Sequence, residues 1–390
     1  MAEAEDRDGD EPGRGPLEGV TVVEVANFVS GPFGALMLAD LGADVVKVEP
    51  PRGDPYRRFG RPTTGTSAEF VNVNRGKRSI ALDLKDPEGL ATLRRLLDRA
   101  DVLLANWRPK VAGRLGLADH LLAQANPRLV RVYISGYGPS GPYADQATFD
   151  SNIQARSGLA WLEGGDGAPR LVAGYLVDKM TGVFAVQAAL AALYERERTG
   201  EGRAVDVPML DTVAYFNYPD LYAKRTLVDH QPDDPRNLLV SGNRPVPARD
   251  GWVQVSAVTG DQIRAAVTAL GHPEWGEVIL SQADGPAVGT ALRDLVGQAL
   301  ATMTVAEAMA RFDAHDVPAA PCDDPDQHLA DPQVVHAGIY RVAEDPVLGR
   351  VRSVRHPARS PGWGRLEASG AVPGLDADHQ AVVADLDDAG

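Results

Sequence analysis

Short apolar runs alternate with longer amphipathic ones from residue 19 onward, and this alternation restricts the possible folds more than any other feature. Buried strands are predicted by the length and apolar content of GVTVVEV, DVVKVE, DVLLAN and PRLVRVYIS. Helices are predicted between them by the spacing of apolar residues in GPFGALMLADLGA and DPEGLATLRRLLDRA. Strands that alternate with helices form a parallel sheet with helices on both faces. The expected fold class is therefore α/β.

Changes in composition along the 390 residues indicate how the chain divides into domains. The first 15 residues are acidic and polar, so we expect a disordered tail there. A linker rich in Pro and Asp, VDHQPDDPRN, precedes one strand pattern and three helical patterns. We expect a Rossmann-like large domain (16–225), a smaller α+β domain (226–317) and a C-terminal segment (318–390) that returns to the large domain.

Composition and charge argue against several classes of function. The formal net charge of −15 argues against a nucleic-acid surface, which needs a broad basic face. The single cysteine, Cys322, rules out an internal disulfide, and we expect it to be buried as a small apolar residue. The eight histidines show no metal-ligand spacing, so we expect no metal. The acidic N-terminus has no apolar targeting segment, and the longest apolar run, Val183–Leu193, is too short for a bilayer. We expect a cytoplasmic protein without a membrane partner.

The segment GYGPSG, at Gly136–Gly141, matches the G-x-G-x-x-G pattern of dinucleotide-binding turns. In such a turn the glycines open a helix whose N-terminal amides hold a pyrophosphate. Here Pro139 and Pro142 flank the last glycine, and the following YADQATFD has no helical pattern. We therefore reject a dinucleotide site and assign the glycines to a tight turn after a strand.

Basic residues are concentrated in NRGKRSIALDLK and ANWRPKVAGRLG, although the chain as a whole is acidic. Arginine and lysine bind phosphates through charge-assisted hydrogen bonds, so this cluster is a candidate phosphate site. Asp83, Asp86 and Glu88 are close by in sequence, and a solvated surface of mixed charge is the alternative. The cluster comprises Arg75, Lys77, Arg78, Lys85, Arg108, Lys110 and Arg114.

One carboxylate, Asp178, stands near the start of the helix predicted from GYLVDKMTGVFAVQAALAAL. An aspartate in this position is most simply an N-cap, which accepts a hydrogen bond from a first-turn amide. The alternative is a reactive group, because the positive end of the helix dipole and the free amides would favour the ionised carboxylate. A rival carboxylate, Asp150, is interpreted as a residue that lines the site or caps a helix.

Seven segments, taken in order, resemble the class III CoA-transferases, the family of formyl-CoA transferase and carnitine CoA-transferase, which also includes the α-methylacyl-CoA racemases. They are GPFGALMLADLGADVVKVEPPRGDPYR, NRGKRSIALDLKDPEG, DVLLANWRP with RLGL, NPRLVRVYISGYGPSGPY, FDSNIQARSGL, GYLVDKMTG and GNRPVPARDGWVQVS. The resemblance covers nearly everything from Pro16 to about Pro361. It implies an enzyme that moves CoA from an acyl-CoA donor to a carboxylic acid acceptor, with no tightly bound cofactor. It also implies an interlocked homodimer.

The resemblance further implies which residues form the site. Asp178 matches the family's covalent nucleophile, the aspartate of a D-x-x-T/S-G segment that opens an apolar helix. Its carboxyl group would carry an activated acyl group and then CoA itself, as an aspartyl-CoA thioester. A loop at SGNRP would help to exclude water. The CoA contacts of the family match Val29, Ser30, Leu82, Lys85, Asn106, Trp107, Arg114, Phe149 and Asp150.

Two positions depart from the family pattern. Racemases of the family carry a proton-transferring histidine where this chain has Phe149, which counts against racemisation. Pro50 replaces an arginine that contacts a phosphate in some members. An acyl-CoA epimerase of the same fold and a catalytically inactive CoA-binding homologue stay as alternatives, and no pattern in the sequence indicates the acyl group.

Overall fold

The computed structural model describes residues 15–60, 62, 64–107, 109–165, 167–230, 244–360, 363, 366 and 371–388. Residues 1–14 of the predicted tail, residues 241–243 of the predicted covering loop, and Arg108 lie outside the described residues. The chain divides into two compact units. The first comprises Met1–Trp161, Arg170–Phe216 and Val335–Gly390, and the second comprises Leu162–Pro169 and Asn217–Val334. The sequence placed the smaller domain at 226–317 instead.

A parallel sheet forms the centre of the first unit. Its strands are β1 (Thr21–Val25), β2 (Asp44–Glu49), β3 (Arg78–Ala81), β4 (Val102–Ala105), β5 (Val130–Ser135) and β6 (Ala204–Pro208). They lie in the order β3-β2-β1-β4-β5-β6. Strand β1 pairs with both β2 and β4, so the direction of strand succession reverses between β1 and β4. The predicted α/β class is confirmed.

Helices connect these strands where the apolar spacing predicted them. The helices of this part of the chain are α1 (Ser30–Asp40), α2 (Ala68–Asn74), α3 (Pro87–Arg99), α4 (Pro109–Arg114), α5 (Asp119–Ala125), α6 (Asp150–Arg156), α7 (Leu159–Gly164), α8 (Leu176–Thr199) and α9 (Met209–Asn217). Helix α3 begins as its sequence predicts, with Asp86 as the N-cap and Pro87 in the first turn. Helix α8 ends at Gly200, which adopts the left-handed conformation (φ 81°).

The glycines of GYGPSG form a turn and open no helix. Among the described residues that follow β5, the next helix is α6, which begins at Asp150. Gly138 and Gly141 have φ angles of 88° and 96°, which residues with a side chain rarely adopt. A Cβ atom on Gly136 would lie 2.1 Å from Thr148 Cγ2. The segment therefore lacks the strand–turn–helix geometry of a dinucleotide site, as the sequence indicated.

The second unit has a small antiparallel sheet and its own apolar core. Its strands are β7 (Val246–Pro247), β8 (Trp252–Val255) and β9 (Ala319–Pro321). Its helices are α10 (Gly260–Ala269), α11 (Trp275–Leu280), α12 (Gly285–Leu300), α13 (Val305–Asp313), α14 (Pro325–Ala330) and α15 (Pro332–His336). Cys322, which follows β9, is exposed, so the expectation that it is buried was wrong.

The C-terminal segment packs with the first unit. It forms an antiparallel hairpin of β10 (Tyr340–Asp345) and β11 (Gly349–Val354) and then helix α16 (His379–Asp388). Val382 and Leu386 of α16 are buried in the same apolar cluster as Leu93 of α3. The chain thus returns to the large unit, from Val335 rather than from the predicted residue 318.

Helix α8 is long and apolar enough to cross a membrane, by length and composition alone. The apolar run Val183–Leu193 alone is too short for a bilayer, but the whole helix of 24 residues is not. Half of its most apolar window is buried inside the protein, and the helix contacts α1, β5 and β6. These contacts are those of a core helix.

Candidate active site

Asp178 lies in the first turn of α8, and the cap of that helix comes from another residue. The first backbone amides of a helix have no partner within the helix. Here Val177 N and Asp178 N both donate to Asp150 Oδ2, at 2.6 Å and 3.0 Å. Tyr175, the residue in the N-cap position, makes no side-chain cap. The interpretation of Asp178 as a plain N-cap is therefore wrong, because a carboxylate of α6 occupies that role.

Asp150 is held in place by its own hydrogen bonds. Gln154, one turn later in α6, donates from Nε2 to Asp150 Oδ1 at 2.6 Å. Gln154 Oε1 accepts in turn from Val172 N at 2.9 Å. Asp150 is only 4% exposed, and its two oxygens receive three donors. A buried carboxylate occupied in this way is poorly suited to attack a substrate.

Helices α1 and α8 approach each other closely where both carry a glycine. A Cβ atom on Gly182 would lie 2.9 Å from Ser30 O and 3.2 Å from Gly34 N. A Cβ atom on Gly34 would lie 3.2 Å from Gly182 O. Ser30 precedes Gly34 by one turn, and Asp178 precedes Gly182 by one turn. The close approach thus sets Ser30 beside Asp178, and the two side chains form a hydrogen bond.

The surroundings of Asp178 raise the pKa of its carboxyl group to about 7. Burial is the largest cause, the negative charge of Asp150 adds to it, and the hydrogen bond from Ser30 opposes it. The helix N-terminus was expected to favour the ionised form. The pKa rises instead, chiefly because the carboxyl group is buried, and also because Asp150 occupies the amides of Val177 and Asp178 and brings its own charge. A group with a pKa near 7 is present in both protonation states at neutral pH, which is typical of functional carboxyls.

Five aromatic side chains form a continuous group beside Asp178, which we call the aromatic wall: Phe28, Tyr56, Phe59, Phe149 and Tyr175. The Phe28 ring meets the Phe149 ring edge-on at 5.6 Å, and Tyr56 lies 5.3 Å from Phe59 between ring centroids. Tyr175 lies 6.4 Å from each of Tyr56 and Phe59. Of these five residues, only Phe149 was predicted from the sequence to belong to the site. The signal for Tyr175 was available, since it lies three residues before Asp178.

A buried network of charges fixes the loop that carries Phe28. Lys47 Nζ lies 2.8 Å from Glu24 Oε1 and 3.1 Å from Asp54 Oδ2, and all three side chains are fully buried. Burial opposes the charge of Lys47, but these carboxylates outweigh it and raise its pKa. Asp54 Oδ1 accepts from Phe28 N at 3.3 Å and so holds Phe28 at a φ of 64°, a left-handed conformation. The pairing of Lys47 with Glu24 and Asp54 joins distant segments and could not be read from the sequence.

Asn106 joins the loops that follow two neighbouring strands. Asn27 N, after β1, donates to Asn106 Oδ1 at 3.2 Å, and Asn106 Nδ2, after β4, donates to Asn27 O at 2.8 Å. Strand succession reverses between β1 and β4. In open parallel sheets the ligand crevice lies beyond the carboxyl ends of the strands at such a point. Asn106 therefore shapes the edge where a nucleotide-like ligand is expected.

A model of CoA-transferase family III matches residues 17–379 of the chain. The chain belongs to CoA-transferase family III. It is 33% identical over 345 residues to a succinyl-CoA–L-malate CoA-transferase beta subunit from Chloroflexus aurantiacus, covering 85% of this chain and 84% of that one. It is 34% identical over 387 residues to a succinate–glutarate CoA-transferase from Agrobacterium fabrum, covering 90% and 94%.

Solved structures agree with this family assignment. A CAIB/BAIF family protein from Brucella suis superposes with a TM-score of 0.83 at 29% identity, covering 96% of this chain and 100% of that one. A hypothetical protein from Mycobacterium tuberculosis gives a TM-score of 0.80 at 26% identity, covering 95% and 99%. This CoA-transferase thus shares its fold with both solved structures along nearly the whole chain.

Several of the residues predicted to contact CoA in this transferase follow the carboxyl ends of strands of the parallel sheet: Val29 and Ser30 follow β1, Leu82 and Lys85 follow β3, and Asn106 and Trp107 follow β4. Asp150 begins α6, and Arg114 is the last residue of α4. Lys85 and Arg114 are exposed, while Asn106 and Trp107 are half-buried. The buried members are Val29, Ser30, Leu82 and Asp150. Phe149 is exposed and belongs to the aromatic wall. The assignment of these residues to CoA remains a prediction, with Lys85 and Arg114 as its accessible cations.

The predicted basic cluster is not a single surface of the transferase. Lys77 is buried, and its Nζ lies 2.7 Å from Glu24 Oε2. Burial lowers its pKa to about 8, although Glu24 favours its charged form. Arg75 is buried against Asp40 at 2.7 Å. Surface carboxylates pair with Arg78 and Lys110: Asp44 and Asp385 with the former, Asp145 with the latter. Arg75 and Lys77 therefore stabilise the fold. Fewer residues of the cluster, among them Lys85 and Arg114, are left to bind a phosphate.

Proposed function

We propose that this enzyme transfers CoA from an acyl-CoA to a carboxylic acid through an aspartyl-CoA thioester on Asp178. The observation that carries the proposal is the contrast at the start of α8. Asp150 has donors on both oxygens, whereas Asp178 is half-buried and hydrogen-bonded through its side chain to Ser30. A carboxyl group with a pKa near 7 is close to its optimum for both attack and departure at neutral pH.

The first half of the reaction makes two new bonds to the carboxyl group in turn. The Asp178 carboxylate oxygen attacks the thioester carbonyl carbon, the C–S bond breaks, and CoA leaves as a thiolate. The product is a mixed anhydride of Asp178 and the donor acid. The CoA thiolate then attacks the Asp178 carbonyl carbon, the anhydride C–O bond breaks, and the donor acid leaves as a carboxylate. The acyl energy is kept in the aspartyl-CoA thioester.

The second half repeats these steps in reverse with the acceptor. Its carboxylate attacks the aspartyl thioester, and CoA leaves again as a thiolate. The thiolate attacks the acceptor carbonyl and releases Asp178 as a carboxylate, so that no net proton is gained or lost. The amide groups of the first turn are bonded to Asp150, and Ser30 supplies a hydroxyl donor beside Asp178. Both intermediates hydrolyse, so burial of Asp178 also serves to limit access of water.

The epimerase alternative requires a second group that exchanges protons with the α-carbon. The residue at the position of the family's proton-transferring histidine is Phe149, which has no titratable group. Its neighbour Asp150 is buried, and donors occupy its oxygens. These observations favour CoA transfer over epimerisation. Epimerisation would release an α-deuterium label to solvent without an acceptor acid, which gives a direct measurement of the alternative.

The test of the proposal is the fate of labelled acid and of the Asp178 peptide. Wild-type enzyme incubated with an acyl-CoA should carry a CoA adduct on the peptide that contains Asp178, detected by mass spectrometry. Asp178→Asn should lose the adduct and reduce exchange of labelled acid into acyl-CoA by about 10⁴-fold or more, since the nucleophile is removed. Retention of wild-type exchange by this variant would disprove the assignment. Lys110→Met, on the surface, serves as the control.

We also propose that the enzyme works as an interlocked homodimer. The proposal rests on the family resemblance and on exposed apolar side chains of α8 and α9, among them Val183, Tyr194, Tyr215 and Phe216. A relative from Chloroflexus aurantiacus consists of named alpha and beta subunits, so a heteromer is the alternative. Light scattering should give twice the chain mass of 41.5 kDa. A monomer with full activity would contradict the proposal.

A further inference from the structure

The aromatic wall exposes much apolar surface beside the reactive carboxyl group. Phe149 is 59% exposed, Phe59 is 43% exposed and Tyr175 is 37% exposed. Each of these rings forgoes part of the hydrophobic stabilisation that complete burial would contribute. Two further members, Phe28 and Tyr56, connect the rings to the fold. A continuous set of rings that stays uncovered at a reactive group is typical of a binding surface.

Backbone contacts tie the wall to Asp178. Phe149 immediately precedes Asp150, whose carboxylate receives the Asp178 amide at 3.0 Å. Tyr175 is the last residue before α8, and its carbonyl oxygen accepts from Lys179 N at 3.1 Å. An acyl group bonded to the Asp178 carboxyl would therefore start close to Phe149 and Tyr175, two members of the wall. From there the acyl chain can extend over the rings.

Among the described residues, the charges that act on the side chains of Tyr175 and Asp178 are negative. Burial raises the pKa of Tyr175, and the carboxylates of Glu69, Asp178 and Asp150 raise it further. The same sign holds at Asp178, where the charge that acts on the carboxyl is that of Asp150. An additional carboxylate brought to this place would be repelled and partly desolvated.

Two buried cations close to the wall in the fold, Lys47 and Arg57, are already paired. Lys47 is bonded to Glu24 and lies 3.1 Å from Asp54. Arg57 stacks on the Phe70 ring, with 3.9 Å from Cζ to the ring centroid, and donates from both Nε and Nη2 to Glu49. Both cations are buried. Neither has an exposed donor with which to receive a carboxylate from a substrate.

From this geometry we infer that the aromatic wall is the acyl subsite and that it takes an apolar acyl group, aryl or alkyl, rather than the acyl group of a dicarboxylic acid. The inference rests on the proposed function of Asp178 and names its substrate class. It separates this enzyme from relatives whose names specify succinyl-CoA with malate or glutarate. Apolar chains gain from covering the rings, whereas a second carboxylate would lie beside Glu69 and Asp150, the carboxylates that act on Tyr175 and Asp178 among the described residues.

Two donors of equal length test the inference. Hexanoyl-CoA and adipoyl-CoA both have six-carbon acyl chains and differ in a terminal methyl or carboxylate group. We expect kcat/KM for hexanoyl-CoA to be higher by roughly 100-fold, because the second carboxylate loses hydration without gaining a partner. Phe149→Ala should lower kcat/KM about tenfold more for hexanoyl-CoA than for acetyl-CoA, since acetyl is too short to reach the ring and any lost contact with CoA affects both donors equally. A preference for adipoyl-CoA would overturn the inference.

A matched control comes from the same helix. Tyr194 is exposed and lies 16 residues after Asp178 in α8, which is about 24 Å along the axis. Tyr194→Ala should leave the ratio of hexanoyl to adipoyl turnover at the wild-type value. Equal losses with both donors in Phe149→Ala, or the same loss in Tyr194→Ala, would show a structural effect and contradict a subsite at Phe149.

Non-reactive ligands separate failure of the subsite from failure of the proposed chemistry. S-hexyl-CoA and S-(5-carboxypentyl)-CoA are thioethers that Asp178 cannot cleave. Calorimetry should show that the wild-type enzyme binds S-hexyl-CoA roughly tenfold more tightly than CoA, and the carboxylate analogue no more tightly than CoA. That result without transfer would support the subsite and disprove the transfer chemistry. Transfer with equal affinity for both thioethers would disprove the subsite alone.

Discussion

Buried charge is handled in opposite ways in two regions of the first unit. Beneath the strand ends, Glu24, Lys47 and Lys77 are fully buried, and every charge lies within 3 Å of an opposite one. At the start of α8, Asp178 is half-buried, and the charge that acts on its carboxyl group is the like charge of Asp150. The first arrangement offsets desolvation with ion pairs. The second has only the hydrogen bond from Ser30 to offset desolvation, and the pKa of Asp178 rises to about 7 as a result.

The difference indicates which carboxyl groups serve the fold and which serves the reaction. A paired or fully hydrogen-bonded carboxylate, such as Glu24 or Asp150, is stabilised in one protonation state and one position. A carboxylate without an ion-pair partner, such as Asp178, is destabilised in its charged form by the fold. Such a group persists only where the surrounding structure tolerates the cost in stability. Substitutions in the two regions should therefore change the free energy of unfolding in opposite directions. The expected changes follow from the largest to the smallest.

The largest effect is expected in the paired region. Lys47→Met should lower the free energy of unfolding by about 3 to 5 kcal/mol, because Glu24 and Asp54 would stay buried without their cation. Chemical denaturation monitored by circular dichroism measures the loss. Lys110→Met breaks an exposed ion pair with Asp145 and should cost less than about 1 kcal/mol. Equal losses in the two variants would remove the distinction between the buried network and the surface.

A gain in stability is expected at Asp178. Its pKa is about 7 in the folded chain and about 3.9 in the unfolded chain, so the unfolded chain ionises first as the pH rises. The carboxyl group therefore destabilises the fold increasingly from about pH 4 to about pH 7, and fully above that. Asp178→Asn should raise the free energy of unfolding by about 2 to 4 kcal/mol at pH 8 and by little at pH 4. Denaturation curves at both pH values measure the difference. A variant that is less stable at pH 8 would show that Asp178 is a structural group.

Sequence reasoning predicted the fold well where local patterns decide it. The period of apolar residues and the end signals, such as Asp86 with Pro87 and Gly200, fix α3 and α8 within a few residues. The boundaries of the second unit were displaced. Strand β9 lies in a proline- and alanine-rich segment that has no strand pattern of its own, and its pairing with β8 is decided by tertiary packing.

At the site, the resemblance found Asp178 but could not describe its surroundings. The cap from Asp150 links residues 28 positions apart, and the network of Lys47 and Glu24 links two strands. The glycine contact of Gly34 with Gly182 joins helices far apart in sequence. These contacts join residues far apart in sequence and depend on how the helices and strands pack. A local sequence pattern carries no information about that packing. The helix N-terminus was expected to favour the ionised carboxyl group of Asp178, but its burial and the second carboxylate, which no local pattern shows, raise its pKa instead.

The smallest effect on stability is expected for substitution of Asp150, which also tests most directly why the two regions differ. Asp150→Asn keeps an acceptor for the α8 amides but removes the charge, so the pKa of Asp178 should fall, by about one unit. The acidic limb of the pH profile of kcat/KM should move to lower pH by the same amount, with a stability loss of about 1 kcal/mol from the weaker cap. Asp145→Asn, an exposed carboxylate, should leave the limb in place. If the limb of Asp150→Asn does not move while stability falls, Asp150 acts only as a cap, and the raised pKa of Asp178 must come from burial alone.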